Sequence, residues 1–316
     1  MASKTAARLG FITCSADKLP CYFPTGAEPD FLPTEPPFTP DDQLAVDCLR
    51  KLGQTVEPVV WGAAVEELNR FDALVMRSPW DYMDTDASRI RFLAWLEVLR
   101  REDLPVQNSP ELMLWLGDKN YLADFEAVGI PIVPTRFLAA GAELASLSLS
   151  YPAVLKPAVS GAGEGLYFLQ SEADRSPELR DALQNNAYLI QQFIPEIMEL
   201  GEWSLVYFDG VFSHAVHKRP GPDSILVHAE QGGTLVFDSP PTGVKVFGDR
   251  VSHAVGQAFR SGTDLAPQMP LYLRIDVIPT GRGPLLSECE GVEPELFFRA
   301  RPGAENDFCE ALLRRL

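Results

Sequence analysis

Residues 271–290 read LYLRIDVIPTGRGPLLSECE. The opening run alternates: Leu273, Ile275 and Val277 point to one side of a strand, Arg274 and Asp276 to the other. A Pro- and Gly-rich connection, residues 279–284, leads to a second apolar run in which Glu288 and Glu290 share a face. A hairpin centred near Arg282 puts Asp276 opposite Glu288 and Arg274 opposite Glu290. Residues facing each other across an antiparallel pair lie on the same side of the sheet. A register error of two residues keeps this arrangement, and an error of one destroys it. One sheet face then carries three carboxylates and one guanidinium. Carboxylates so close repel and raise each other's pKa. A divalent cation removes the repulsion, and an oxygen-only set without Cys or His points to Mg²⁺ or Mn²⁺. The alternative is a solvated acidic hairpin. Glu293 and Glu295 follow directly, and each either meets substrate or faces water.

Further upstream, Lys156 ends an apolar strand and opens a small-residue stretch containing Ser160, Gly161, Gly163 and Gly165. Without Cβ obstruction, backbone N–H groups of such a loop approach phosphate oxygens closely. No Gly-Lys-Ser/Thr and no helix start follow, so this is not a Walker A loop. The chain continues as strand, so it is not a dinucleotide fingerprint either. The stretch is a phosphate cradle or a plain tight turn. Lys119, opening a helical segment with Tyr121, Leu122 and Phe125, is a second cation for a polyphosphate. A strand over residues 187–193 leads into Gln191-Gln192-Phe193-Ile194, which offers a purine backbone groups and a flat apolar wall, or is an ordinary strand end. Glu202 and Lys218 come next. Lys218 either neutralises a transferred phosphoryl group or is a surface charge.

The first ~80 residues alternate strand and helix, which implies a mainly parallel sheet covered by helices. Strands fall at residues 9–14, 56–61 and 71–77. Thr39-Pro40-Asp41-Asp42 is an N-cap, a Pro at the first helical position and an acidic first turn. Phe92, Trp95, Leu96 and Leu99 form a core stripe at helical spacing. A hairpin turns at Asp209-Gly210 between residues 203–208 and 211–216, and residues 305–316 close the chain as a helix. A Pro-rich stretch, residues 19–40, cannot be regular structure, and is either functional, bordering the substrate site, or disordered.

A chain of 316 residues, 46% hydrophobic, can bury two or three cores without disulfides. Its net charge of −17 argues against duplex nucleic acid or an anionic membrane as main partner, but not against a nucleotide, which needs only local cations and a metal. There is no run of ~18 apolar residues for a transmembrane helix, and the N-terminus lacks a signal-peptide core. Five scattered cysteines without CxxC spacing predict reduced thiols and a cytoplasmic location. The four histidines lack zinc-site spacing. Oligomeric state is open, a homo-oligomer included.

In order, the chain carries Lys119, then Lys156 with its Gly-rich loop, then Gln191-Gln192-Phe193-Ile194. Gly201-Glu202, Lys218, Arg274-x-Asp276 and Glu288-x-Glu290 follow. Arg77-Ser78-Pro79-Trp80-Asp81-Tyr82 and Glu293-Pro294-Glu295-Leu296-Phe297 accompany this set. Each motif alone is loose, but the joint order resembles the ATP-grasp superfamily, in particular the glutathione-synthetase-like branch that includes the cycloserine synthetases (O-ureido-serine cyclo-ligases). The resemblance implies an α/β ATP-grasp fold of three lobes: an N-terminal parallel α/β domain (residues 1–115), a central lobe with the Gly-rich loop (116–194) and a C-terminal lobe with the metal site (195–316). The last two would clasp ATP.

It further implies that Lys119 and Lys156 hold the α- and β-phosphates, with Ser160, Gly161, Gly163 and Gly165 in the loop closing over them. Gln191, Gln192, Phe193 and Ile194 would form the adenine hinge, with Glu202 on the ribose. Asp276, Glu288 and Glu290 would bind Mg²⁺ or Mn²⁺, and Arg274 with Lys218 would be catalytic. Arg77, Asp81 and Glu293 would contact a small amino-acid-like substrate. The implied reaction is acyl-phosphate formation followed by C–N bond formation, as intramolecular cyclisation or dipeptide-type joining. A phosphotransferase and a nucleotide-binding regulator without turnover are the alternatives. Two positions depart from the family pattern: Leu226 stands where an arginine is usual, with Arg219 the nearest replacement, and Glu290 stands where Asn is frequent.

Overall fold

The computed structural model describes residues 6–18, 38–161, 163–222, 224–227, 232–259 and 269–316. It contains three sheets, each drawn from its own stretch of chain. The first is wholly parallel, in the order β2-β1-β3-β4, with β1 (Arg8–Thr13), β2 (Thr55–Val60), β3 (Ala73–Ser78) and β4 (Val106–Gln107). Helices α1 (Pro40–Lys51), α2 (Val65–Leu68) and α3 (Asp86–Arg101) connect these strands. The start of α1 is the one its residues dictate: the Thr39 hydroxyl accepts from the Asp42 amide at 2.9 Å, and Arg50 and Lys51 occupy the last turn, where the helix dipole favours cations. In α3, Phe92, Trp95, Leu96 and Leu99 all face inward. Most of the Pro-rich stretch, residues 19–37, lies outside the described residues, and with it the expectation that it borders the substrate site.

The second sheet is antiparallel, in the order β5-β8-β6-β7, with β5 (Thr135–Leu138), β6 (Ala153–Pro157), β7 (Tyr167–Leu169) and β8 (Tyr188–Gln192). Helices α4 (Pro110–Leu116) and α5 (Tyr121–Ala127) precede it, and α6 (Pro177–Asn185) leads into β8. The third sheet runs β11-β10-β9-β12-β13, all antiparallel. Its strands are β9 (Glu202–Phe208), β10 (Val211–Arg219), β11 (Thr234–Phe237), β12 (Tyr272–Ile278) and β13 (Leu285–Glu290). Helix α7 (Glu196–Leu200) enters it, α8 (Thr242–Ala258) packs on β9 and β12, and α9 (Ala304–Arg314) ends the chain. Asp209 and Gly210, between β9 and β10, both have positive φ (52° and 77°), as a two-residue primed turn demands.

The core does not respect sequence order. Phe308, Cys309 and Leu312 of α9 pack with Leu9, Phe11, Val46 and Leu49 of the first unit and with Phe208 and Tyr272 of the third sheet. The last helix therefore locks the first sheet against the third. Cys14, Cys48, Cys289 and Cys309 are buried and form no disulfide with one another. Among the described residues no helix is long and apolar enough to cross a membrane.

The β12–β13 pairing sets everything that follows. Arg274 pairs with Glu290 and Asp276 with Glu288, the register expected from alternation. Nearer the turn, however, Val277 pairs with Leu286 and Ile278 with Leu285, a register shifted by one. A bulge at Ser287 absorbs the difference. Carried unbroken from the turn, the second register would place Glu288 and Glu290 on the opposite face from Asp276. The bulge is what brings the acidic side chains together.

Candidate functional site

A cavity of about 590 Å³ opens between the second and third sheets, with residues of the first unit along one rim. Its floor is the β12–β13 hairpin. Asn108, just beyond β4, holds both ends of that floor: its amide donates to Tyr272 O (2.8 Å) and Gly291 O (2.9 Å), and its Oδ1 accepts from Leu271 N (2.6 Å). The Tyr121 hydroxyl accepts from Cys289 N at 2.8 Å between the two glutamates. Neither Asn108 nor Tyr121 was legible as a support, because each acts on backbone more than 150 residues away.

On this floor the Arg274 guanidinium bridges two carboxylates. It donates to Asp276 (Nη2 to Oδ2, 3.0 Å) and to Glu290. Asp276 also accepts from the Ser204 hydroxyl. Lys156 reaches across from the second sheet to Glu288 at 2.8 Å. Lys218 lies 3.8 Å from Glu202 and 3.9 Å from Asp276. Lys119 is anchored on the Gly-rich loop, donating to Ser160 O at 2.6 Å. Phe297, in the left-handed region at φ +50°, lies under two of these cations, 5.5 Å from Lys218 Nζ and 5.8 Å from Arg274 Cζ. His214 Nε2 donates to Leu296 O at 2.8 Å and fixes that turn. Burial lowers its pKa to about 4, so it remains a neutral strut.

Electrostatics follow from this packing. Burial raises Glu288, but Lys119 and Lys156 outweigh it and hold the carboxyl far below its ordinary range. For Asp276 too, Arg274 and Lys218 outweigh burial, and the pKa falls. Glu290 is pushed up by burial, and Asp276 and Glu288 add to that against the pull of Arg274. Burial pushes Glu202, Glu293 and Glu295 to about 7. These last three carboxyls bind protons better folded than unfolded, so their stability contribution is complete below the ordinary value near 4.5 and is lost as pH rises through about 7. Asp276 and Glu288 act oppositely, losing their contribution as pH falls through their lowered values. The ligand-free protein is therefore expected to melt at a lower temperature at pH 8 than at pH 5.5 in a calorimetric scan. A rising Tm over that interval would contradict the burial of these groups.

Among the described residues, no three acidic, His or Cys side chains converge on a point ready for a metal. The three expected metal ligands share a face but are held apart by cations, Arg274 between two and Lys156 on the third. Their chemistry still fits a hard cation: all donors are oxygens, and Glu290 stays pushed up in spite of its guanidinium partner.

The cavity wall includes Lys119, Lys156, Ser160, Gly161, Gly163, Gln191, Gln192, Phe193, Ile194, Glu202, Arg274, Asp276, Glu288, Glu290 and Glu293. Val133, Val154, Leu166, Ile197 and Ile278 join Phe193 to make one end an apolar slot. Four nominated residues are off the wall. Gly165 lies behind Pro157, and Lys218 lies one layer below, buried between Glu202, Asp276 and Phe297. Arg77 and Asp81, expected to contact substrate, are not among the residues lining this cavity. Arg77 is buried, spent on Asp42 (2.8 Å), on Pro294 O (3.1 Å) and on the face of Tyr272. Asp81 accepts from the Trp61 indole. Both support the wall without forming it. Arg219 is exposed at the end of β10 and is not among the residues lining the cavity. Ile225, Leu226 and Val227 instead present an apolar surface to the cavity. Glu293 and Glu295 both line the cavity.

Gly201 joins α7 to β9 at φ +67°, and a Cβ there would stand 2.3 Å from Lys218 O and 2.7 Å from the His217 ring. Neither the backbone oxygen nor a ring stacked on Trp203 at 4.3 Å can give way. Gly201→Ala is expected to cost at least about 1–3 kcal/mol from backbone strain alone. It would lower the urea midpoint and displace Glu202 and Lys218 together.

A parallel unit followed by two antiparallel sheets, which enclose a cavity lined by paired lysines, a Gly-rich loop and an acidic hairpin, defines the ATP-grasp ligases as a class. The chain is 30% identical over 300 residues to the cycloserine biosynthesis protein DcsG of Streptomyces lavendulae, covering 89% of this chain and 95% of that protein. It belongs to the cycloserine-synthetase-like family of ATP-grasp ligases. Residues 21–108 match the family model for the N-terminal domain of D-cycloserine synthetase DcsG. The crystal structure of D-cycloserine synthetase DcsG superposes with a TM-score of 0.75 at 24% identity, covering 98% of this chain and 99% of that one. A D-alanine–D-alanine ligase from Bacillus anthracis complexed with ATP gives a TM-score of 0.61 at 13% identity, covering 98% and 97%. These two structural likenesses speak to the fold.

Proposed function

We propose that the protein activates the carboxylate of a small amino-acid-like substrate with ATP and joins the resulting acyl phosphate to a nitrogen nucleophile, closing a ring within one molecule. The observation that carries this reading is the convergence of Lys119, Lys156 and Arg274 with three carboxylates on one cavity wall, under a small-residue loop. The family relationship to a cycloserine biosynthesis protein supports cyclisation.

Lys119 and Lys156 would grip the phosphates, and the apolar slot by Phe193 would take the adenine, with Glu202 at the ribose. Asp276, Glu288 and Glu290 would hold Mg²⁺ or Mn²⁺, which supplies charge neutralisation to the phosphates. The substrate carboxylate oxygen attacks the γ-phosphorus and the bond to the β-phosphate oxygen breaks, giving an acyl phosphate and ADP. The nitrogen then attacks the acyl carbon and phosphate leaves. Arg274, fixed by two carboxylates and by Phe297, stands ready for the negative charge that develops at both steps. The loop around Ser160 to Gly163 would exclude water from the acyl phosphate. No covalent enzyme intermediate is needed, and rate comes from positioning and charge.

A coupled ADP-release screen over amino acids, ureido and hydroxamate analogues, singly and in pairs, tests the reading. ADP and phosphate released with one compound and a cyclic product supports it. A strict need for two compounds indicates intermolecular joining, and a stable phosphorylated product indicates a phosphotransferase.

A further inference from the structure

Nearly every carboxylate on the cavity wall has a cation beside it. Asp276 and Glu290 have Arg274, Glu288 has Lys156, and Glu202 has Lys218 at 3.8 Å. Glu295 has Arg299 at 2.6 Å and Asp84 has Lys18 at 2.8 Å. Apart from Glu164 on the Gly-rich loop, Glu293 is the exception among the described residues, with no ion pair at all. Its Oε1 accepts from the Tyr82 hydroxyl at 2.7 Å, and the Tyr82 ring is stacked on Phe92 at 4.0 Å. The backbone around it is clamped as well: Trp80 Nε1 donates to Glu293 O at 3.3 Å and Arg77 to Pro294 O at 3.1 Å. Held this firmly, Glu293 still leaves Oε2 buried without a hydrogen-bond donor.

Among the described residues no protein group donates to Oε2, so its donor comes from the cavity side, where substrate would sit. An ionised carboxylate oxygen accepts only, so the group that completes it is a donor, and a cationic donor, which also favours the ionised form, is favoured most. The rim residues on this side of the cavity, Trp80, Tyr82 and Asp84, include no lysine or arginine. We propose that Glu293 Oε2 receives a protonated amino group of the substrate, so that the enzyme acts on free amino acids and rejects their N-acyl and des-amino counterparts. This rests on the ligase reading above. Burial, more than any neighbouring charge, raises Glu293 to about 7 in the empty cavity.

The test uses the full-length protein with Mg²⁺ and a non-hydrolysable ATP analogue. Calorimetry is run with serine, alanine and O-ureidoserine, and with the N-acetyl form of each. At least one free amino acid is expected to bind and its N-acetyl form not to bind. Glu293→Gln, which keeps an acceptor for Tyr82, should weaken that binding about 10- to 100-fold while analogue binding is unchanged. Tyr82→Phe, which leaves the carboxylate in place, should keep the discrimination against the N-acetyl form. Equal binding of the two forms, unchanged affinity in Glu293→Gln, or no heat from any free amino acid overturns the proposal. If the ATP analogue itself fails to bind the wild-type protein, the ligase reading falls first, and that failure is visible separately.

Discussion

Arg274→Met is expected to lower turnover by roughly 10²–10³-fold and to destabilise the ligand-free protein by about 3–5 kcal/mol. The two losses have different origins. In the empty site Arg274 bridges Asp276 and Glu290, and its removal leaves the two carboxylates facing each other, Asp276 buried with only the more distant Lys218 at 3.9 Å. A buried charge stripped of its partner is far more costly than the pair was favourable. During turnover the same guanidinium is positioned for charge that forms on the substrate. Mg²⁺ should therefore restore much of the lost Tm, because a divalent cation relieves the carboxylate repulsion as the arginine did. It should not restore kcat. Arg274→Lys keeps the charge but cannot donate to both carboxylates in the same planar fashion, so it should fall between the two in stability. A Tm unchanged in Arg274→Met, or a Mg²⁺-induced shift no larger than in the wild type, would show that the bridge carries no such role.

How far the sequence could lead is visible in particular elements. Alternation in residues 271–278 and 285–290 gave the facing pairs correctly, because even the first strand, buried on both faces, separates apolar from charged side chains. The bulge at Ser287 was invisible: one extra residue has no compositional mark, and the correct register was reached by centring the turn on Arg282. Helix α8 was missed altogether. Its Val244, Phe247, Val251, Val255 and Ala258 are buried at helical spacing. However, Gly243, Gly248 and Gly256 and several valines make it a weak helix former by composition. Gly248 is there for packing: a Cβ would lie 2.6 Å from the Tyr207 hydroxyl. Arg77 was hard to read for the opposite reason. A charged residue at the end of a parallel strand suggests a ligand, and only tertiary contacts reveal that its Nε is on Asp42 and its Nη2 on Pro294 O, off the cavity wall. The absence of a cation at Glu293 was likewise unreadable, since a missing partner leaves no trace in a linear chain.

Lys156→Met should separate two affinities that normally move together. Lys156 is bonded to Glu288 in the nucleotide-free protein, at 2.8 Å and with its side chain only 9% exposed. If it is to grip phosphate, that bond must open as nucleotide and metal enter, the metal taking over Glu288. In the empty site, then, Lys156 competes with the cation for one of its ligands. Replacing it with methionine removes a charge-assisted contact to phosphate, and ATP affinity should fall about 10- to 100-fold. The same replacement frees Glu288 and takes away a nearby positive charge. Mn²⁺ alone, followed by electron paramagnetic resonance, should accordingly bind more tightly than to wild type, by roughly tenfold for each ~1.4 kcal/mol of repulsion relieved. The positive charge of Lys119 nearby limits the gain, because it also stabilises the ionised Glu288. The opposite signs matter more than the sizes. A mutation that merely loosened the hairpin would weaken nucleotide and metal together, and weaker Mn²⁺ binding by Lys156→Met would mean that the ion pair with Glu288 organises the acidic cluster instead of occupying it.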